Sequence, residues 1–174
     1  MPADHSALMG ITRALLWLIL GLVAAAILFV LVAGGALAVA WPDIVVEAKK
    51  SGVFLDAAAM RPQLFALLAL LLAILAATVD VLRQLQALVA SAAADPFIPE
   101  NAGRLRRIGW ALVAVHLLAL PLGWVAGSIA KATSKFAAMG GINLTGILAI
   151  LLAFVLAAVF ERGAAMRDEL EGTV

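Results

Sequence analysis

The chain has 174 residues, 66% of them hydrophobic and only 13% charged, with a mean hydropathy of +1.13. Soluble domains carry roughly 25% charged residues, so these proportions exclude an ordinary soluble globule. The net charge of +1 offers no basis for direct nucleic-acid binding, and the lack of cysteine excludes disulfides, thiol redox chemistry, iron–sulfur clusters and cysteine-ligated zinc. His5 and His116 are the only histidines, so one chain cannot hold a haem between two intramembrane histidines, and neither a cofactor nor a metal is expected.

A hydrocarbon core about 30 Å thick needs roughly 20 helical residues to cross it, which leaves room for about four spans in this length. Four apolar runs are present. After a short polar start, Ala14–Ala40 carries no charge, and Trp41-Pro42 is expected to end this first helix. Ala38-Val39-Ala40 has the look of a signal-peptide cleavage site, but signal h-regions run about 7–15 residues and this stretch is far longer, so a retained span is expected. The segment up to Arg61 holds Asp43, Glu47, Lys49, Lys50 and Asp56 around Val53-Phe54-Leu55, and reads as an outer connection anchored by Phe54.

Pro62 suits the first turn of a second helix that continues to about Ala94, too long to stay within a bilayer core. Asp80 and Arg83 therefore fall near its exit, three residues apart on one face, where they are expected to neutralise each other. A third helix starts at Pro99 or Gly103 and runs to Ala130; it contains His116, a kinking Pro121 and the small-residue pair Gly123/Gly127. Lys131–Asn143, with Gly140-Gly141, is a short connection to a fourth helix that begins at Leu144. Beyond Glu161-Arg162, Met166 and Leu170 extend its apolar stripe among Arg167, Asp168, Glu169 and Glu171, so the tail should continue the helix.

The expected fold is thus all-α: an antiparallel bundle of four transmembrane helices at about 14–40, 63–90, 107–130 and 144–162, with a loop at 91–106 and a tail at 163–174. Trp17 and Trp110 fall near one set of ends and Trp41 and Trp124 near the other, as interfacial aromatic belts would require. Arg13, Arg104, Arg106, Arg107, Arg162 and Arg167, with Arg83 if it snorkels, lie on the side of the termini, against Lys49, Lys50, Arg61, Lys131 and Lys135 on the other. Basic residues concentrate on the cytoplasmic side, which puts both termini in the cytoplasm of a bacterial cell and the chain in its inner membrane.

Asp80, Arg83 and His116 are the intramembrane polar groups. They could serve a proton or ion path, or simply a neutral pair and a hydrogen-bonded imidazole. The break between the second and third spans is richer. Pro96 biases Asp95 away from helical geometry, and Pro99 with Glu100 fits a helix first turn, so the loop should be a tight, preset turn. Phe97-Ile98 could dip into the headgroup region, while Asn101, Leu105 and Ile108 share one helix face and Arg104 and Arg107 another. Binding anionic lipid would account for the arginines, but not for the Pro-Phe turn or for Asn101.

At Pro96-Phe97, Asn101 and Leu105-Arg106-Arg107-Ile108-Gly109, and again at the ending from Phe160-Glu161-Arg162-Gly163 to Thr173-Val174, the chain resembles the bacterial membrane family catalogued as domain of unknown function 2975. The resemblance implies a four-span protein, often encoded beside a small helix-turn-helix regulator that it restrains or for which it senses. The leading expectation is therefore a non-enzymatic regulatory or sequestering membrane protein. Its candidate partner-binding residues are Pro96, Phe97, Asn101, Arg104, Arg106, Arg107, Met166 and Leu170. A small transporter or ion pathway through Asp80 and His116 is the alternative, and homo-oligomerisation is left open.

Overall fold

The structure, a computed structural model, describes residues 2–50, 56–92, 95–132 and 143–171. They form four helices in chain order: α1 (Pro2–Lys50), α2 (Ala57–Ala92), α3 (Pro99–Ala132) and α4 (Leu144–Glu171). All four are long and apolar enough to cross a membrane. The expected connections around Val53-Phe54-Leu55 and Gly140-Gly141 lie outside the described residues.

Two helix boundaries correct the sequence reading. Pro42 lies inside α1, which continues to Lys50. Proline there removes the bond its own nitrogen would donate to the Ala38 carbonyl and crowds that carbonyl with its ring, a local cost of about 3 kcal/mol that the helix absorbs. The last turn, Glu47-Ala48-Lys49-Lys50, consists of good helix formers, and its two cations offset the helix dipole. Trp41, expected at a membrane interface, turns inward and is buried. Likewise Pro62 is not in the first turn of its helix, because α2 starts at Ala57 behind an aspartate cap. The Asp56 carboxylate accepts from the Ala58 and Ala59 amides at 3.2 and 3.3 Å, and its carbonyl accepts from Met60 at 2.9 Å.

The other starts are also explained locally. Pro99 opens α3 with Glu100 in its first turn, and α3 runs on through Pro121. Asn143 caps α4: its side-chain oxygen accepts from Thr145 at 3.0 Å and its carbonyl from Gly146 at 3.0 Å. α4 carries on past Glu161-Arg162 to Glu171, as the apolar stripe beyond that boundary anticipated.

The helices contribute to two compact units. The first comprises Met1–Val23, Ala77–Val115 and Asn143–Val174, and so contains the whole of α4; the second comprises Ala24–Ala76 and His116–Ile142. In the first unit the core is Leu105 and Ile108 of α3 against Ala153 and Ala157 of α4, with Val81, Leu85 and Leu88 of α2 packed on them. The two alanines, four apart, form a smooth strip on which the larger α3 side chains lie. Gly109 completes this fit. A Cβ there would stand 2.9 Å from the Phe154 ring, which also meets Trp110 edge-on at 5.6 Å.

The second unit buries Val30 and Trp41 of α1, Met60 of α2, and Val125 and Ala130 of α3. His116 is half-buried there. Across the chain, the most apolar window of each helix is only 0–11% buried.

The Gly109 seat yields a test. Gly109→Val should lower stability by about 1–3 kcal/mol through overpacking against Phe154. Adding Phe154→Leu should recover a large part of that loss in thermal unfolding of the detergent-solubilised protein. A fully stable Gly109→Val variant would show that the two helices do not approach this closely.

Candidate functional site

The turn between α2 and α3 is organised by one side chain. Asn101, in the first turns of α3, is 0% exposed, and it is the only polar residue among the fully enclosed side chains described. A buried amide costs free energy unless it is hydrogen-bonded, so its surroundings are dictated by its bonding. Its Nδ2 donates to the Pro96 carbonyl at 2.9 Å. Its Oδ1 accepts from the Ser91 hydroxyl at 2.8 Å and from Arg104 Nη1 at 2.7 Å. The same guanidinium nitrogen donates to Ser91 Oγ at 3.1 Å. One amide thereby ties together the end of α2, the turn and the start of α3.

Asp95 fixes the turn from the other side. Its amide donates to the Ser91 carbonyl at 3.0 Å, and its Oδ1 accepts from the Phe97 amide at 3.0 Å, an Asx turn. Its second carboxylate oxygen forms an ion pair with Arg167 of α4. The preset turn expected from the two prolines is present, but α3 already starts at Pro99, so Arg104, Arg106 and Arg107 are α3 residues and not loop residues.

Phe97 seats the turn on α4. Its ring lies where a Cβ on Gly163 would stand 2.6 Å from Cδ1, and it packs against Phe160 with ring centroids 5.4 Å apart. The ring is therefore engaged by protein, although 42% of the residue stays exposed.

The charges expected to await a partner are largely committed to one another. Arg106 Nη2 meets Glu161 of α4 at 2.9 Å, and Arg107 donates from Nε to Asp80 of α2 at 2.9 Å. Asp80 also accepts from Gln84. This corrects the expected Asp80–Arg83 pair: Arg107 reaches the carboxylate across the helix interface, and Arg83 is exposed. Three residues apart on one helix is close enough for two side chains to meet, but a bidentate guanidinium from a facing helix offers the better geometry.

The exposed remainder has a definite shape. Pro99, Ala102, Gly103 and Arg106 of α3 and Glu161 and Ala164 of α4 line an open cleft of 230 Å³. Met166 is 61% exposed nearby on α4, whereas the side chains of Asp168, Leu170 and Glu171 lie outside the described residues. Of the expected docking residues, Asn101 is inaccessible, Arg104 serves the buried node, and Phe97, Arg106 and Met166 keep exposed surface.

Ser91, Glu161 and Gly163 were not singled out from sequence as site residues. Gly163 had a readable signal, since an isolated glycine in a helical pattern can mark close approach. Ser91 and Glu161 had none, because the first could equally bond its own helix and the second could equally pair with its neighbour Arg162.

The node and the ion pair make separable predictions. Asn101→Ala should cost about 1–3 kcal/mol by orphaning buried polar groups, with Asn101→Asp intermediate because it keeps Arg104. Unfolding of the two variants in detergent, side by side with the parent, measures this order. Asp80→Asn should lower the melting temperature, and the exchange Asp80→Arg with Arg107→Asp should restore most of it, while Arg83→Gln leaves it unchanged. A loss at Arg83→Gln equal to that at Asp80→Asn would contradict the assigned pair.

Comparison with known proteins places this geometry in a family. No curated protein and no solved structure matches the chain. A family model described as "Protein of unknown function (DUF2975)" matches residues 41–174, which include the whole of α2, α3, α4 and the turn. The chain belongs to the DUF2975 family of proteins of unknown function.

Proposed function

We propose that this protein is a multi-pass inner-membrane protein that holds a cytoplasmic partner at the surface formed by the α2–α3 turn and the end of α4. The carrying observation is that Asp95–Arg167, Arg106–Glu161 and Phe97 on Gly163 join these two distant stretches into one surface. That surface combines exposed apolar atoms of Phe97 and Met166 with paired charges around an open cleft, the mixture that specific interfaces use. Membrane insertion is supported by the helices themselves. Their apolar windows are almost unburied by protein, which in water would leave an apolar surface with nothing to cover it. At about 1.5 Å per residue, α1 alone is about 74 Å long, so its ends would project beyond a core of about 30 Å.

The antiparallel order of α2, α3 and α4 is supported by their contacts. Moving up α3 from Asn101 to Arg107, the α2 partners step down from Ser91 to Asp80; from Arg106 to Trp110, the α4 partners step from Glu161 to Phe154. The arginine excess on the side of the turn favours a cytoplasmic placement for it and for both termini. The family resemblance makes a small helix-turn-helix regulator the leading partner, restrained at the membrane without any contact between this chain and nucleic acid. The rival ion path is weakened by the commitment of Asp80 to Arg107, which holds its charge in place and leaves no free carboxylate at that position.

The test uses exposed positions so that folding is spared. A Cβ at Gly103 would meet nothing within 4 Å and the residue lines the cleft, so Gly103→Phe should fill the cleft without disturbing the helices. Gly103→Phe combined with Met166→Glu should abolish co-purification of the proposed helix-turn-helix regulator, at unchanged membrane yield. The chain has no native cysteine, so Gly103→Cys and Lys50→Cys report orientation cleanly. In intact cells an impermeant maleimide should label Lys50→Cys and spare Gly103→Cys. Retention of the regulator by the double variant would remove the docking surface, and outside labelling at Gly103→Cys would remove the orientation.

A further inference from the structure

Apart from the turn, the first unit contains a second polar cleft, between α1 and α2. It has a volume of 270 Å³ and is lined by Arg13 and Trp17 of α1 and by Gln86 and Ala90 of α2. Each pair is four residues apart, so each presents a single face of its helix to the cleft. Gln86 Nε2 is buried and has no hydrogen-bond partner, the one such side-chain atom among the described residues. A buried donor without an acceptor is costly, and such an atom in a native fold calls for a group that completes it. No carboxylate pairs with Arg13 among the described residues, so the cleft also carries an uncompensated positive charge.

We propose that this cleft binds the phosphate group of an anionic phospholipid. Three of its four lining residues, Arg13, Trp17 and Gln86, carry hydrogen-bond donors, and no acidic side chain lines it. Phosphate offers several strong acceptor oxygens and matches the guanidinium fork in a bidentate manner. The final torsion of a glutamine is soft, so the Gln86 amide can turn its NH2 onto an oxygen in the cleft. A lipid is favoured over free phosphate by position. Arg13 is the last charge before the uncharged run of α1, and Ile11, Leu15 and Leu18 around it are 65%, 53% and 60% exposed, ready to contact acyl chains. Trp17, 66% exposed, is the amphipathic residue typical of the headgroup level. Arg13 then acts through one bound headgroup and not as one charge among many.

This inference rests on the membrane-spanning reading, and the experiment separates the two. Carbonate extraction of membranes comes first: release of the full chain into the soluble fraction would overturn the membrane reading and the lipid site with it. For the detergent-purified full chain, native mass spectrometry with phosphatidylglycerol and phosphatidylcholine then reads the site directly. Phosphatidylglycerol should bind the parent roughly tenfold or more tightly than it binds Arg13→Gln with Gln86→Leu, because charge-assisted hydrogen bonds are lost. Arg162→Gln, an exposed cation on α4, should bind like the parent. Gln86→Leu alone should raise the melting temperature without lipid, since it removes the orphan donor, yet should shrink the lipid-dependent rise. Equal losses at Arg162→Gln would mean diffuse charge attraction and overturn the site. Displacement of phosphatidylglycerol by excess inorganic phosphate, with phosphate alone stabilising the protein as well as the lipid does, would overturn the lipid as its ligand. Indifference between the two lipids in parent and variant alike would overturn the proposal.

Discussion

The fully enclosed amide of Asn101 is the constraint on which the first unit depends. Taking an amide out of water without replacing its hydrogen bonds costs several times the net value of an ordinary hydrogen bond. The fold can therefore enclose Asn101 only where the Pro96 carbonyl, Ser91 and Arg104 all reach it. Those three demands fix where α2 stops, how the chain turns and which face α3 presents. Once α3 is oriented, Leu105 and Ile108 fall on the alanines of α4, and Arg107 comes opposite Asp80. Packing and polar satisfaction thus specify the same helix register, the agreement between levels that marks a well-defined native state.

Much of this was legible in the sequence where a rule depends on neighbours along the chain. The four apolar runs, the Pro96/Pro99 turn and the shared face of Asn101, Leu105 and Ile108 all follow from local spacing. Helix ends were harder to read. Proline usually breaks helices, which makes Pro42 and Pro62 read as boundaries, yet both helices run through them, and the Asp56 cap starts α2 ahead of Pro62. Partners across helices were legible least of all. Spacing made Arg83 the natural mate of Asp80, but the pairing chosen depends on which residue of α3 stands opposite, and that is set by the Asn101 node and the alanine strip. The same reason hid Gly163 and Ser91: their roles exist only once Phe97 and Asn101 are brought to them.

The two attachments of the turn differ in kind, and the difference bears on function. The Asn101 node is desolvated, so salt and water compete poorly for it. The attachments to α4 are exposed: the Arg106 and Glu161 side chains are 52% and 63% exposed, and those of Arg167 and Asp95 50% and 28%. Exposed pairs are screened within about 8–10 Å at physiological ionic strength and contribute little net stability. What holds α4 against the turn is then mainly Phe97 in its glycine seat and the apolar core below. On the docking role proposed above, a partner with its own charges would take over Arg106, Glu161 or Arg167 at little cost while the α2–α3 turn stayed intact. The rigid half would present the surface, and the α4 half would be the part that can respond to what binds there.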